Sequence, residues 1–285
     1  MLKAAANDVE YRFPKARTKA VVMSYDDGSE HDRRLVSLFN TYGVRGTFHL
    51  NSSRLGDDYH IKRDEVGTLY RGHEVSCHTR NHRDLTALAD DDARMEIETD
   101  RRDLESLAGY PVRGLAYPFG TYDDRIVSLV SELGMAYART AEDSHAFGLP
   151  QDVLRLTTTC HHNRMAEFAA GLLASDGPGL ELMIVRGHSF ELDGFMSSDP
   201  DKDWTYMEDV CRHLQASSAV WFATMIEVLD YLEAVRLVDA SRSDARISNP
   251  SALPIGLRIN GRDVELPPGA TIECQSGAAW AGRAS

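Results

Sequence analysis

The chain has 285 residues, of which 42% are hydrophobic and 26% charged, so it has enough apolar content for one sizeable globular core. Its formal net charge of −13 disfavours a nucleic-acid backbone or an anionic membrane surface as the main partner. No apolar run approaches the roughly 20 residues of a membrane span, and residues 1–8 lack the apolar stretch of a signal peptide. We therefore expect a cytoplasmic protein that acts on neutral or cationic substrates.

Cysteine usage agrees with that compartment. The four cysteines are widely separated and form no C-x-x-C pattern: Cys77, Cys160, Cys211 and Cys274. Free thiols in a reducing environment are therefore expected, and a disulfide framework is not.

From Ala20 to about residue 238, short apolar runs alternate with amphipathic helical stretches. The predicted strands are Ala20–Tyr25, Gly46–Leu50, Glu74–Cys77, Val112–Tyr117, Met135–Ala138, Leu180–Arg186 and Val220–Ala223. The predicted helices are Asp32–Tyr42, Arg63–Tyr70, Asp91–Leu107, Asp124–Leu133, Met165–Leu173, Trp204–Gln215 and Met225–Ala234. This alternation predicts an α/β fold, namely an irregular (β/α) barrel with about seven strands.

The pattern changes at about residue 241. Two short runs, Leu257–Ile259 and Asp263–Leu266, flank Asn260-Gly261, which is a hairpin signal. We expect two domains, a barrel over residues 1–240 and a small β-rich C-terminal extension over residues 241–285. Packing against the barrel is the favoured role of this extension, with carbohydrate binding as the alternative.

The most informative stretch is Ser24–Gly28, where the apolar run of the first predicted strand stops at Asp26 and Asp27. Neighbouring carboxylates repel, and neither can be buried in its ionised form without a cationic partner such as a divalent metal. Gly28 allows the backbone to turn, so one carboxylate could bind a metal while the other faces a substrate. Taken alone, the stretch is equally compatible with a solvated turn after any strand.

A second predicted strand end, after Glu74–Cys77, carries His78 and His82. Their spacing of four residues would put both imidazoles on one face of a helical turn. With one carboxylate from Asp26 or Asp27 they would supply three protein ligands and leave a position for water, as in catalytic zinc sites. Surface histidines are the alternative, but complementary ligand types at two strand ends favour a metal site.

At these residues the chain resembles the polysaccharide deacetylase family, also called the NodB-homology or carbohydrate esterase family 4 group. Ser24–Gly28 is similar to the family's T-F-D-D-G motif, and His78–His82 to its H-[ST]-x-x-H motif. The resemblance covers about residues 18–238. It implies three metal ligands, which are Asp27, His78 and His82. It also implies that Asp26 is the general base.

The segment Leu115–Gly120 resembles the family's R-x-P-[FY]-G motif, which shapes one wall of the groove. By this resemblance the backbone N–H of Phe119 would donate to the oxyanion, and Tyr117 and Pro118 would border the substrate. Ala116 stands where the family usually has an arginine that steadies the catalytic carboxylate.

Arg139 follows the predicted strand Met135–Ala138 and lies at another strand end. We hypothesise that its guanidinium supplies the missing cation to Asp26 from a different direction. Contact with the substrate is the other role that this position allows.

The last motif, Leu182–His188, resembles the family's L-x-H sequence at the end of its penultimate strand. The resemblance implies that His188 is the general acid, a role that suits a side chain whose ordinary pKa lies near neutrality. Arg186 stands where leucine usually lines the acetyl pocket. A histidine that merely satisfies a strand end is the alternative interpretation of His188.

Two further positions are weaker candidates for substrate binding. His161 and His162 are adjacent, and because neighbouring side chains of a strand point apart, at most one of them should reach the groove. We take His162 as that candidate and expect no second metal site there. Trp204 could stack on a sugar ring, or it could belong to the core of its helix.

Together these features predict a metal-dependent hydrolase that removes N- or O-linked acetyl groups from a carbohydrate. Zinc fits two imidazoles and a carboxylate, and nickel or cobalt could bind the same ligands. A hydrolase of the same fold acting on a non-sugar amide or ureide is the first alternative. A non-catalytic carbohydrate-binding protein is the second. The sequence leaves the oligomeric state open.

Overall fold

The computed structural model describes residues 8–177, 179–197, 199–240 and 246–273, so Cys274 and the change of pattern at residues 241–245 lie outside it. The helices are α1 (Asp32–Thr41), α2 (Val66–Leu69), α3 (Asp90–Ala108), α4 (Asp124–Glu132), α5 (Met165–Ala174), α6 (Trp204–Gln215) and α7 (Met225–Ala240). The first strands are β1 (Val9–Arg12), β2 (Lys19–Asp27), β3 (Gly46–Leu50), β4 (Glu74–Cys77), β5 (Gly114–Ala116), β6 (Tyr137–Asp143) and β7 (Leu156–Thr158). The others are β8 (Cys160–His161), β9 (Glu181–Gly187), β10 (Val220–Phe222), β11 (Arg246–Ser248), β12 (Ile255–Ile259), β13 (Arg262–Leu266) and β14 (Thr271–Glu273). No helix in these ranges has both the length and the apolar character that crossing a bilayer requires.

Nine parallel strands form one sheet that is nearly closed into a barrel. Its order is β7-β6-β5-β4-β3-β2-β9-β8, with β10 also paired to β2. The stretch Leu156–His161 joins the two edges, because β7 pairs with β6 while β8 pairs with β9. Between these two strands the N–H of Thr159 donates to the carbonyl of Ile184 at 2.7 Å. The predicted (β/α) barrel is therefore confirmed, with additional short strands at its seam.

Alternate residues of β2 face different layers. Val21, Met23 and Tyr25 pack with the outer helices in one hydrophobic cluster. Ala20 and Val22 belong to a second cluster, which includes residues of β9 and α7. Because side chains alternate along a strand, Asp26 continues the inner face of β2 at the mouth of the barrel.

Most predicted elements agree with the structure to within a few residues, and the largest differences lie at element ends and in short strands. The strand predicted over Val112–Tyr117 is reduced to β5, and α7 continues well beyond Ala234. β7 and β8 are three and two residues long, too short for an alternating hydrophobic pattern to reveal them.

The C-terminal extension contains the predicted hairpin, since β12 and β13 are antiparallel neighbours around Asn260-Gly261. β1, near the beginning of the chain, pairs with β12 and completes a three-stranded sheet. Tyr231 of α7 ties this sheet to the barrel: its hydroxyl donates to the carbonyl of Arg12 at 2.6 Å and accepts the N–H of Gly256 at 2.8 Å.

Glu74 connects the barrel to the beginning of α7. Its carboxyl accepts hydrogen bonds from the Thr47 hydroxyl at 2.9 Å, the Tyr137 hydroxyl at 2.9 Å and the backbone N–H of Ile226 at 3.0 Å. Burial raises the pKa of Glu74 to about 7, although these hydrogen bonds oppose the rise. The nearby Glu227 carboxylate also raises it.

We predict that Glu74→Gln changes how stability depends on pH. A folded-state pKa of about 7, above the ordinary 4.5, means that the stability contributed by the protonated carboxyl is complete below about pH 4.5. It is lost as the pH rises through about 7, at a cost of roughly 3 kcal/mol. The free energy of unfolding, measured with urea at several pH values across this range, should therefore fall more steeply with rising pH for the wild type than for Glu74→Gln. The exposed Glu132→Gln is the matched control, and equal slopes for wild type and Glu74→Gln would contradict the prediction.

Candidate active site

The candidate site lies where the carboxyl ends of several parallel strands meet. Asp26 and Asp27 end β2, and His188 follows β9 directly. The side chain of Arg139 enters the same region from β6, next to Ala116 of β5 in the sheet register. The parallel arrangement brings these strand ends to one rim of the barrel, as expected for this architecture.

Asp26 is paired with Arg139 inside the mouth of the barrel. Arg139 Nη2 donates to Asp26 Oδ1 at 2.5 Å and also contacts Oδ2, while Nη1 donates to the carbonyl of Thr140 at 2.9 Å. Asp26 is 7% exposed and Arg139 1%. Burial alone would raise the pKa of Asp26, but the Arg139 charge, assisted by nearby histidines, holds it well below its ordinary range. Asp26 is therefore ionised at neutral pH.

This contact changes the interpretation of Arg139. The guanidinium is the cation beside Asp26 that we hypothesised in place of the arginine absent at Ala116. Because it is buried, it acts on that carboxylate, and direct contact of Arg139 with a substrate stays a prediction.

Asp27 turns away from Asp26 because its backbone leaves the extended conformation. Its φ is +76°, followed by +70° at Gly28, so the carboxylate faces a different side of the strand end. Asp27 Oδ1 lies 3.7 Å from His78 Nε2 and 3.7 Å from His82 Nε2. A non-glycine residue in the left-handed region costs free energy, and such strain is characteristic of functional positions.

The two histidines converge without the helical turn that we expected. Residues 78–82 form an irregular bend in which Thr79 and His82 have positive φ. The amide of Asn51 holds this bend by donating to the carbonyls of His78 and Thr79 at 2.6 and 2.8 Å. Glu96 of α3 holds it from the other side by accepting two hydrogen bonds from Asn81.

Asp27, His78 and His82 fit a divalent metal. Asp27 Oδ1 is buried and has no hydrogen-bond partner among the described residues, as expected of an oxygen whose partner is an ion. His78 Nδ1 faces the carbonyl of Ala116 at 2.8 Å, which places the proton on Nδ1 and leaves the Nε2 lone pair free. The candidate ligand atoms of the three residues lie within 4.8 Å of one another.

The segment after β5 contributes an exposed ring and two buried side chains. Phe119 has φ +59°, is 66% exposed and packs its ring against His82 at 4.6 Å. Tyr117 and Pro118 are buried, and the Tyr117 hydroxyl donates to the carbonyl of Leu154 at 2.9 Å. The buried side chains of Tyr117 and Pro118 therefore support the segment that carries Phe119, and their contact with substrate stays a prediction.

His188 lies between Asp27 and Glu191. His188 Nε2 is 3.8 Å from Asp27 Oδ2, and Nδ1 is 3.5 Å from Glu191 Oε2. Burial lowers the pKa of His188, but the surrounding carboxylates outweigh it and leave the pKa above its ordinary value. Arg186, two residues earlier, is partly exposed and forms a double hydrogen bond with Asp143 at 3.1 and 3.2 Å.

Two weak candidates are buried away from the groove. Trp204 is 6% exposed, its Nε1 donates to Asp193 at 2.7 Å, and the Arg34 guanidinium lies 4.5 Å above its ring, so it does not offer a free stacking surface. His162 is 2% exposed, with Nδ1 3.2 Å from the Tyr25 hydroxyl. Contact of Trp204 and His162 with substrate therefore stays a prediction, which their burial does not favour.

The expectation that His161 and His162 point apart is also wrong. His161 Nε2 and His162 Nε2 lie 3.1 and 3.4 Å from the same Glu191 oxygen. β8 ends at His161, and His162 begins a 3-10 turn, so the alternation of a strand does not apply to this pair. From the sequence, Ser189-Phe190-Glu191 could form a sugar platform with Trp204, and the contact of Glu191 with the two histidines was missed. Its place three residues after His188 is typical of a capping contact at the start of a helical turn.

Residues 14–138 match the family model described as polysaccharide deacetylase. The chain contains a polysaccharide deacetylase family domain. The matched segment includes Asp26, Asp27, His78, His82 and Phe119, whereas Arg139 and His188 lie beyond it.

The relatives of the deacetylase family domain include two fungal proteins. Chitin deacetylase 1 of Cryptococcus neoformans is 28% identical over 116 residues, which cover 40% of this chain and 24% of that protein. A chitin deacetylase of Arthroderma benhamiae is 25% identical over 122 residues, which cover 40% of this chain and 31% of that protein. The match therefore spans less than a third of the length of these relatives.

The fold of the deacetylase family domain also occurs in solved structures. A protein from Mycobacterium smegmatis, provisionally described as a polysaccharide deacetylase, superposes with a TM-score of 0.58. The two chains are 17% identical, and the match covers 83% of this chain and 96% of that one. At this identity the likeness is one of fold.

We predict that Arg139→Met destabilises the deacetylase family domain by about 3–5 kcal/mol, because it leaves the buried Asp26 carboxylate without its partner. The double variant Arg139→Met/Asp26→Asn should recover part of this loss, since no buried charge then remains. Denaturant unfolding of the two single variants and the double variant measures the coupling.

Arg113→Met is the matched control, because it removes an exposed arginine paired with Asp230 and should cost only about 0–1 kcal/mol. If the changes in unfolding free energy caused by Arg139→Met and Asp26→Asn simply added in the double variant, the inferred coupling between the two side chains would be refuted.

Proposed function

We propose that the chain is a metal-dependent hydrolase that removes N- or O-linked acetyl groups from a carbohydrate. The observation that carries this proposal is the pair of adjacent carboxylates with different partners. Asp26 is held ionised by Arg139, and Asp27 turns an unpartnered buried oxygen toward His78 and His82. The names of the matched relatives, which are chitin deacetylases, support an acetylated carbohydrate as the substrate class.

Asp27, His78 and His82 would hold the metal. Zinc suits two imidazoles and one carboxylate, and nickel or cobalt could take the same ligands. When bound, the ion would act as a Lewis acid that polarises the acyl carbonyl and makes water more acidic. Asp100 supports this ligand set from behind, because its carboxylate accepts the backbone N–H of His78 at 3.1 Å and that of Ser52 at 2.7 Å.

Asp26 would be the general base that takes a proton from the attacking water. Its contact with Arg139 keeps the carboxylate ionised and fixes its orientation, so no reorganisation is needed at the moment of attack. The same contact makes Asp26 a weak base, so its contribution depends on holding the nucleophile in place as much as on proton affinity.

His188 would protonate the leaving amine or alcohol, and Phe119 would stabilise the developing oxyanion through its backbone N–H. The position of His188 Nε2, 3.8 Å from Asp27 Oδ2, supports a role beside the candidate metal ligands. The exposed Phe119, held at positive φ against His82, supports a fixed amide at the rim.

A hydrolase of a non-sugar amide or ureide is the second candidate. The observation that favours it is the Arg186–Asp143 pair, which gives a charged wall two residues before His188. An acyl group or ring with polar atoms would be recognised there more readily than a methyl group.

The cytoplasmic location inferred from the sequence stays a prediction.

We predict that Asp26→Asn keeps bound metal but lowers kcat by about 10²–10⁴-fold, because it removes the base and leaves the metal ligands in place. His78→Ala should lose both metal and turnover. Acetate release from acetylated oligosaccharides, with metal content measured by elemental analysis, distinguishes the two variants. Asp230→Asn, a surface change in the pair with Arg113, should retain wild-type activity.

A substrate panel separates the candidate functions. Release of acetate from oligosaccharides supports the first proposal, and release of ammonia or acid from small amides supports the second. Binding of oligosaccharide without turnover of either class would indicate a non-catalytic carbohydrate-binding protein. Full activity of Asp26→Asn would refute its assignment as the base.

A further inference from the structure

A second group of metal-binding side chains lies beside the first. Contrary to the expectation from the sequence, we propose that His161, His188 and Glu191 form a separate divalent-metal site, weaker than the site proposed at Asp27, His78 and His82. Their candidate ligand atoms lie within 4.8 Å of one another. This inference rests on the geometry of these residues and does not depend on the reaction proposed above.

The fold brings the three residues together at the seam of the barrel. His161 ends β8, which pairs with β9, and in the sheet register it lies beside Arg186. His188 follows β9, and the 3-10 turn Ser189–Asp193 carries Glu191 back over it. Glu191 Oε2 accepts the backbone N–H of His188 at 2.9 Å, which fixes the carboxylate next to the imidazole.

The spacing of the donor atoms suits a metal ion. Glu191 Oε2 lies 3.1 Å from His161 Nε2 and 3.5 Å from His188 Nδ1. Metal–ligand bonds of about 2.0–2.2 Å in tetrahedral geometry put neighbouring donor atoms about 3.3–3.6 Å apart. A divalent ion could therefore enter between these atoms with only small movements of the side chains.

His188 Nδ1 is the second observation that points to a ligand. It is buried and has no hydrogen-bond partner among the described residues. Its nearest carboxylate oxygen, Glu191 Oε2, already accepts from the His188 N–H and lies close to His161 Nε2. Two imidazole nitrogens and a carboxylate form a common donor set for zinc, and an ion would give the unpartnered nitrogen its missing contact.

His162 lies directly behind the group and could provide a further ligand. Its Nε2 is 3.4 Å from Glu191 Oε2, and its Nδ1 is 3.2 Å from the Tyr25 hydroxyl, a partner that would orient the ring. The absence of a side chain at Gly187 makes room for this ring, since a Cβ there would lie 2.3 Å from His162 Nδ1.

The site should bind more weakly than the first one because His161 is held in the less suitable tautomer. The Asn163 N–H donates to His161 Nδ1 at 3.4 Å, so Nε2 carries the proton and donates to Glu191. Binding a metal through Nε2 requires that proton to leave Nε2 and the ring to shift away from Asn163. The cost of this change lowers the affinity for the ion.

His188 links the two sites, because one ring nitrogen faces each of them. Nδ1 faces Glu191, and Nε2 faces Asp27 Oδ2 at 3.8 Å. A metal at the second site would thus hold the His188 ring in its present orientation, with Nε2 still directed toward the first site.

Metal stoichiometry tests the proposal. Chelator-treated protein is dialysed against increasing Zn²⁺, and bound zinc per chain is measured by elemental analysis. We expect two ions per wild-type chain, the second binding at higher free zinc concentration. Glu191→Gln and His161→Asn should each bind one ion and lose only the weaker step, whereas Asp27→Asn should lose the tighter step.

His60→Asn is the matched control, because it removes a partly buried histidine that is paired with Asp57 outside both clusters and should leave both ions bound. Circular dichroism verifies that each variant is folded. The second site would be overturned if Glu191→Gln and His161→Asn both bound as many ions as the wild type, whether the wild type binds one ion or two. Acetate release by the wild type is measured separately, so a failure of the proposed reaction cannot be confused with these outcomes.

Discussion

The buried contact between Asp26 and Arg139 is the interaction on which the candidate site depends. A carboxylate at the end of a central strand can remain ionised inside the barrel mouth only beside a cation, and Arg139 reaches it from β6. The neighbouring strand β5 contributes separately, because the backbone carbonyl of Ala116 orients His78 Nδ1. Two adjacent strands thus support the Asp26 charge and the orientation of a candidate metal ligand.

The two adjacent aspartates differ because of backbone conformation and not because of residue type. Asp26 is still part of the extended strand and points into the barrel, where the guanidinium lies. Asp27 adopts positive φ and turns its carboxylate toward His78 and His82. After β4, the chain likewise leaves the extended conformation in the bend of residues 78–82, which Asn51 and Glu96 hold by hydrogen bonds. The site is thus built where two strands stop being regular.

Much of the barrel, and the residues gathered at its rim, could be predicted because each strand ends in a recognisable combination of residue types. Arg139 could be suggested from its strand end, but its burial behind Asp26 depends on packing across the barrel. The approach of both His161 and His162 to Glu191 could not be predicted from the sequence, because it depends on the point at which β8 ends and a 3-10 turn begins. The pairing of β1 with β12 joins residues about 250 positions apart, and no local pattern encodes such a contact.

The seam of the barrel has a consequence for motion. Leu156–His161 closes the sheet with strands of only three and two residues, whereas β2 and β9 pair over Lys19–Tyr25. Segments with few hydrogen bonds between strands open locally at a lower free energy than the whole domain unfolds. Local opening of the barrel should therefore begin at β7 and β8. His161 lies at the end of the seam, where its Nε2 is 3.1 Å from Glu191 in the turn that follows β9. An ion that binds both residues would hold β8 to this turn and would therefore stabilise one side of the seam against local opening.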